Sequence, residues 1–245
     1  MRYLILSDIH SNWEALEAVL EDARGAYDEI LCCGDLVGYG ADPNRVVEWT
    51  RRNVRVVVRG NHDKAAVGLE DLEWFNPVAR SAALWTEQNL TAENHSYLRS
   101  LPKGPLLVGD LELVHGTPLD EDDYLMSAQA AGELAGYLEK SVCFFGHTHV
   151  QGSYHINRGT VEWIEKPEAE APRQAFELNE GAYLINPGSV GQPRDGDARA
   201  AYMICAAGER RLEYRRVAYP VEIAQAKILR AGLPGVLAER LAWGS

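Results

Sequence analysis

Residues 54–63 read Val-Arg-Val-Val-Val-Arg-Gly-Asn-His-Asp. The valine run is the pattern of a buried strand, and Gly60 ends it where a backbone must turn sharply. Beyond the turn, Asn61 offers a neutral oxygen, His62 an imidazole and Asp63 a carboxylate. Open α/β sheets bind their ligands outside the carboxyl ends of strands. Three polar groups at such an end mark a place for chemistry, against the plainer alternative of a capped turn entering a helix.

Working outward, the same grammar recurs. Arg2–Ser7 is a strand that stops at Asp8-Ile9-His10, and Trp13, Leu16, Val19, Leu20 and Ala23 then follow at helical spacing, predicting a helix over 12–24. Glu29–Cys33 is a second strand, ended by Gly34-Asp35, and Asp42-Pro43 opens a helix to about Arg52 with Asp as N-cap. Strand and helix alternate three times before residue 60, which predicts a parallel sheet with right-handed crossovers. Helices are expected over 77–90 and 92–101. A hairpin follows about Gly109-Asp110, and its second strand ends at His115-Gly116. After a helix over 127–139, Val142–Phe145 is a strand ending at Gly146-His147-Thr148-His149. Short strands over 154–156, 160–164, 183–185, 201–205 and 212–217 lead to a helix over 221–230. With no internal repeat and no linker, residues 1–245 read as one α/β domain.

The chain carries 24 Lys and Arg against 36 Asp and Glu, a net charge of −12. That argues against a surface built to wrap nucleic acid. An anionic substrate would need a local positive field, which a bound divalent metal supplies. Only Tyr3–Leu6 is apolar before Ser7, too short for a signal-peptide core or a membrane span. Cys32, Cys33, Cys143 and Cys205 lie in apolar runs without a C-x-x-C pair, so buried reduced thiols and a cytoplasmic protein with no membrane partner are expected.

The strand ends together carry Asp8, His10, Asp35, Asn61, His62, His115, His147 and His149, five of the seven histidines in the chain. Imidazole and carboxylate are the donors of divalent transition metals. Asp8 and His10 are two apart, as are His147 and His149, so on an extended strand end each pair points to one face. Seven donors, leaving His62 aside, are too many for one ion and suit two ions sharing a bridging carboxylate. Two metals about 3.5–4 Å apart hold both the attacking hydroxide and a phosphoryl oxygen in an in-line displacement. Two divalent ions against two aspartates leave a positive pocket in an acidic protein. His62 has no ligand role and is expected to face the substrate, where it can protonate the leaving oxygen or stabilise charge. Asp63 would orient it.

The blocks Asp8-Ile9-His10, Gly34-Asp35, Gly60-Asn61-His62-Asp63, His115-Gly116 and Gly146-His147-Thr148-His149 resemble, in content and order, those of calcineurin-like metallophosphoesterases. The resemblance implies a four-layer αββα sandwich with mixed sheets and a dimetal site at one edge. It implies that Asp8, His10, Asp35 and His149 hold one metal, and that Asp35 (bridging), Asn61, His115 and His147 hold the other. His62 would be the catalytic histidine, and the two ions Mn, Fe, Zn or similar. The chain is most similar to the small bacterial branch of phosphodiesterases and diadenosine tetraphosphatase relatives, with the helices at 76–101 as an insertion. That insertion would shape substrate choice or cap a hydrophobic face. The expected activity is hydrolysis of a small phosphodiester, phosphomonoester or dinucleoside polyphosphate. A serine/threonine protein phosphatase is the alternative within the class. A binding scaffold is the alternative outside it, and would have eroded ligands; here all are present.

Three further residues are candidate substrate contacts. Asn12 follows the first block, with an N-cap role as its alternative. Tyr39 lies between Gly38 and Gly40. Arg194 follows a strand-end turn, where its guanidinium would clamp a second phosphate, the alternative being a solvated turn. Trp74-Phe75, beside an acidic run, would stack a nucleobase or be buried.

Overall fold

The computed structural model describes residues 1–168 and 170–245, without the side chain of Trp74. In chain order the elements are β1 (Arg2–Leu6), α1 (Trp13–Asp22), β2 (Glu29–Cys32), α2 (Pro43–Asn53), β3 (Val56–Val57), α3 (Asn61–Ala65), α4 (Pro77–Asn89) and α5 (Ala92–Ser100). Then follow β4 (Leu106–Val108), β5 (Leu111–Leu113), α6 (Ala128–Leu134), β6 (Val142–Phe144), β7 (Gly152–Asn157), β8 (Thr160–Ile164) and β9 (Arg173–Glu177). The chain closes with β10 (Ala182–Asn186), β11 (Ala200–Ala206), β12 (Arg211–Val217), α7 (Val221–Arg230) and α8 (Gly235–Trp243).

The strands form two six-stranded sheets, ordered β3-β2-β1-β11-β12-β9 and β4-β5-β6-β10-β7-β8. In the first, β1, β2 and β3 are parallel, as the alternation of strand and helix requires, while β11, β12 and β9 add on antiparallel. In the second, β5, β6 and β10 are parallel and the outer strands antiparallel. Both sheets are therefore mixed.

Strand periodicity sorts the apolar residues into layers. Tyr3 and Ile5 of β1, Met203 and Cys205 of β11, Val142 and Phe144 of β6, and Tyr183 and Ile185 of β10 point into one core between the sheets. Leu4 and Leu6, with Tyr202 and Ile204, point the other way, under α1, α2, α4, α5, α7 and α8. Cys143 and Leu184 pack beneath α6. The result is helix, sheet, sheet, helix: the four-layer αββα sandwich that the resemblance implied. The four cysteines are free and buried in these strands and their ends.

Several boundaries differ from expectation for local reasons. β3 is only two residues long, because Val54 still donates to Thr50 O and closes α2. Asp42 sits at the N-cap position of α2 without capping it; its carboxylate instead takes Lys227 Nζ at 2.5 Å and ties α2 to α7. The expected helix over 127–139 is α6 followed by a single 3₁₀ turn, Ala135–Tyr137. Two elements were not anticipated, β9 and α8. No described helix is long and apolar enough to cross a membrane.

The sandwich brings chemistry to one edge. Asp8, Asp35 and Asn61 follow β1, β2 and β3, while His115 and His147 follow β5 and β6. Within the second sheet Gly146 N donates to His115 O at 2.8 Å, and between the sheets His147 N donates to the Asp8 carboxylate at 3.1 and 3.2 Å. The two halves of the site are thus held in register by backbone.

Candidate metal centre

Seven of the sequence-predicted donors meet at this edge. Asp8, His10, Asp35 and His149 form one group whose ligand atoms all lie within 4.8 Å of one another, and Asp35, His115 and His147 form a second. Asn61 Oδ1 joins the second group, 3.2 Å from His115 Nε2. Asp35 belongs to both.

Hydrogen bonds fix which nitrogen of each ring faces inward. His10 Nδ1 bonds Val37 O at 2.9 Å, His115 Nδ1 bonds Cys33 O at 2.8 Å, and His149 Nδ1 bonds Gln192 O at 2.6 Å. A carbonyl only accepts, so each Nδ1 carries a proton and each Nε2 faces the cluster. His147 is reversed: its Nε2 bonds Asp122 O at 3.1 Å, leaving Nδ1 as the free donor atom.

The arrangement fits a cation by two observations. His10 Nε2 and His149 Nε2 stand 3.0 Å apart, and with both protons on Nδ1 two lone pairs oppose each other there. That contact is repulsive unless a positive ion lies against both. Asp35 supplies the second observation. Its Oδ1 accepts His62 N at 2.8 Å, but Oδ2 is buried with no hydrogen-bond partner, 3.6 Å from His10 Nε2 and 3.4 Å from His115 Nε2. An unpartnered buried carboxylate oxygen between two imidazoles of different groups is where a bridging ligand belongs.

In the metal-free state, charge is shared unevenly. Burial, reinforced by the Asp35 charge, lifts Asp8 to about 7. Burial also works against Asp35, but His115, His62 and His10 together hold it well below the usual carboxylate range. Burial disfavours a charged His115, yet Asp35 and Asp8 raise it to about 10. Burial drives His10 and His149 well below the usual imidazole value, and takes His147 to about 3 and His62 to about 4. A protonated His115 beside the ionised Asp35 thus does part of a cation's work.

The backbone is left-handed where the ligands sit. Asp8, His10, Asp35, His147 and His149 have φ between 49° and 66°. The pairs two apart do converge, but not as extended strand ends: positive φ swings each side chain inward. Gly60 is needed for space rather than for a special turn. Its φ is −102°, and a Cβ there would fall 2.0 Å from Asp35 Oδ1. Gly38 is needed on both counts, with a φ of 91° and a Cβ that would approach His62 Nδ1 to 2.6 Å.

His62 lies beside the two donor groups, with its Nδ1 buried and without a partner. Its ring is framed by Tyr39 at 4.3 Å, His10 at 5.0 Å and Phe75 at 5.4 Å between centroids. The expected orienting contact from Asp63 is absent. The Asp63 carboxylate accepts the backbone N–H groups of Asp35, Leu36, Val37 and Gly60 instead, so it builds the turns rather than the imidazole.

A chamber of about 320 Å³ opens over the site, lined by Tyr39, Asn61, His62, Phe75, Tyr124 and His147 among others. Of the candidate substrate contacts, Tyr39 is a wall of this chamber. Arg194 donates to the Tyr39 Oη at 3.2 Å and also bonds the hydroxyl of Tyr124, a second wall of the chamber. Asn12 does not reach the chamber. Its Oδ1 caps α1 through Ala15 N at 3.1 Å, and its amide nitrogen donates to Gly191 O and Tyr219 Oη, so the N-cap alternative is the one realised. Phe75 of the flagged aromatic pair lines the chamber, while the side chain of Trp74 lies outside the described residues. Asn76 and Ala79 line it too, although Ala79, Ala82, Leu98 and Leu101 are buried in the core. The 76–101 helices therefore cap an apolar face and also border the chamber.

Sequence reasoning missed Tyr124 and Asp122. Tyr124 stacks on His147 at 3.8 Å, and the Asp122 carbonyl sets that ring's orientation. Both sit in an irregular acidic loop without periodicity, where no pattern singles out either residue.

A two-sheet sandwich with seven candidate metal donors at one edge is the architecture that the resemblance implied, and comparison with known proteins agrees. Residues 1–209 match the model of the calcineurin-like phosphoesterase superfamily domain, and the chain belongs to that family. It is similar to a metallophosphoesterase from Sphaerobacter thermophilus, at 41% identity and a TM-score of 0.90 over 100% of this chain and 99% of that one. A protein of Methanocaldococcus jannaschii described only as uncharacterized is 36% identical, covering 98% of this chain and 97% of the relative. A hypothetical protein from Pyrococcus horikoshii shares the fold at 18% identity, with a TM-score of 0.79 over 100% and 98% of the two chains.

Proposed function

We propose that this protein hydrolyses a small phosphorylated substrate (a phosphomonoester, phosphodiester or dinucleoside polyphosphate) with two divalent transition-metal ions such as Mn, Fe or Zn. The observation that carries the reading is the unpartnered Asp35 Oδ2 shared by two ligand groups. Asp8, His10, Asp35 and His149 would hold one ion; Asp35, Asn61, His115 and His147 would hold the other. When bound, such ions supply Lewis acidity towards a phosphoryl oxygen and lower the pKa of an attacking water.

The chain's own residues do the rest. The Nδ1–H bonds of His10, His115 and His149 lock three rings as donors, so little reorganisation accompanies binding. His62 lines the chamber, where its imidazole donates to the leaving oxygen or to the phosphoryl group. Tyr39, Phe75 and Tyr124 give the leaving group apolar walls and keep water away from it. The four buried thiols fit a reducing compartment, which supports a cytoplasmic location.

The test joins metal content to turnover. Protein stripped with chelator and reconstituted should bind about two ions per chain, and His62→Ala should keep them while losing about 10²–10⁴-fold in kcat on p-nitrophenyl esters. Absence of metal binding would sink the reading, and a His62→Ala variant with full kcat would remove His62 from it. A panel of monoester, diester, cyclic nucleotide, diadenosine tetraphosphate and phosphopeptide, run with Mn, then identifies the substrate class.

A further inference from the structure

Cations near the site are generally answered by carboxylates. Lys64 pairs with Glu70, Glu121 and Asp122, and Arg59 with Glu121. Arg194 is different. Among the described residues no carboxylate pairs with it, and the adjacent Asp195 is occupied by Lys166 and Arg216. Its guanidinium bonds neutral oxygens: Nη2 donates to Tyr39 Oη and Gln192 Oε1, each at 3.2 Å, and the Tyr124 hydroxyl is a further partner. Its Nε is buried with no partner.

Position makes this more than an idle charge. Arg194 N donates to His149 O at 3.1 Å, and Gln192 O accepts His149 Nδ1. One turn therefore places both a metal-binding imidazole and the guanidinium. The Arg194 carbon lies 5.7 Å from the Tyr39 ring centre, and that ring contacts His62 and His10. The charge is felt at the centre, where it helps depress the proton affinity of His10, His62 and His149. In a chain of net charge −12, a carboxylate partner would be easy to supply. Leaving the guanidinium unanswered keeps its fork free for an anion.

We propose that Arg194, braced by Tyr39 and Gln192, clamps the second negative charge of a dianionic phosphoryl group and so selects phosphomonoesters over phosphodiesters. The inference rests on the phosphoesterase reading above. A phosphodiester carries one charge, whereas a monoester near neutral pH carries close to two. A planar fork beside the metal-binding groups discriminates between them by that additional charged oxygen.

The experiment uses metal-reconstituted wild type, Arg194→Met and Arg194→Lys, with metal content measured for each. Turnover is followed on p-nitrophenyl phosphate and bis-p-nitrophenyl phosphate, and binding of inorganic phosphate by calorimetry. Arg194→Met should lose about 10–100-fold in kcat/KM on the monoester and less than about 3-fold on the diester, with phosphate binding weakened about 10-fold or more. Arg194→Lys should recover part of the monoester activity, keeping the charge without the fork. Equal losses on both esters, or an unchanged phosphate Kd, overturn the clamp. If wild type hydrolyses neither ester while Arg194→Met still weakens phosphate binding, the phosphoesterase reading fails and the anion clamp stands.

Discussion

Nine described non-glycine residues have positive φ, and Asp8, His10, Ser11, Asp35, Tyr39, His147 and His149 account for seven of them. Each left-handed residue costs about 1 kcal/mol or more, so the site stores strain that neighbouring bonds must offset. Asp63 is a principal tie: its carboxylate holds the N–H groups of Asp35 at 3.0 Å, Leu36 at 2.9 Å, Val37 at 3.3 Å and Gly60 at 2.9 Å. Asp63→Ala leaves four donors without an acceptor and should cost on the order of 3 kcal/mol or more in urea unfolding of the metal-free protein. It should also weaken metal binding, because Asp35 loses its fixed backbone. A variant within about 1 kcal/mol of the parent would show that the turn stands without this tie. The sequence made the donors legible because only a few residue types ligate such metals. It hid how they converge, since Asp and His name a donor atom but not a φ. It also misread Asp63, whose neighbour in sequence is His62 but whose partners are backbone N–H groups, three on the Asp35–Val37 turn and one at Gly60.

At the scale of elements, α4 joins packing to specificity. Asn76 Oδ1 accepts Val78 N at 3.1 Å and Ala79 N at 3.0 Å, capping the helix whose first turn borders the chamber. Asn76→Ala should cost about 1 kcal/mol in thermal or urea unfolding. Because Phe75 and Ala79 flank the cap, KM should change with metal content unaltered. An unchanged KM alongside the lost stability would make these helices a cap on the core and nothing more. Most elements were readable because apolar periodicity survives where one face is buried. β9 failed that test: at a sheet edge, it buries Gln174 and Phe176 only partly and exposes Arg173, Ala175 and Glu177. α8 has the periodicity, with Leu237, Ala238 and Leu241 in the core, but its start at Pro234-Gly235 carries no side-chain cap to announce it. Tyr124 and Asp122 lay beyond reach for a third reason, because an irregular loop is placed by tertiary contacts rather than by any period.

For the molecule as a whole, four buried neutral imidazoles set the acid limb of stability. Between about pH 4 and 6.5 the unfolded chain protonates His10, His62, His147 and His149, while burial keeps them neutral in the folded, metal-free protein. Over the same range the folded chain retains protons on Asp8 and Asp63, each raised to about 7, that the unfolded chain has released. His115, raised to about 10, is protonated in both states there, and Asp35, held low, is ionised in both. Four against two leaves a net uptake of protons on unfolding, so stability rises with pH, on the order of 1–3 kcal/mol per unit at its steepest. Above pH 7 the sign reverses: His115 keeps its proton when folded and loses it when unfolded, so stability falls as pH climbs towards 10. Metal-free protein should therefore show its highest urea midpoint near pH 6.5, lower at both pH 5 and pH 8.5. A midpoint that is flat, or highest at pH 5, would contradict this proton count. Saturating Mn should raise the midpoint at pH 8.5 most, because a cation then takes over from the His115 proton that balances Asp35, and a bound ligand adds stability that grows with its affinity. At pH 5 a proton also occupies the Asp8 carboxylate and must be displaced by the cation, so the gain should shrink.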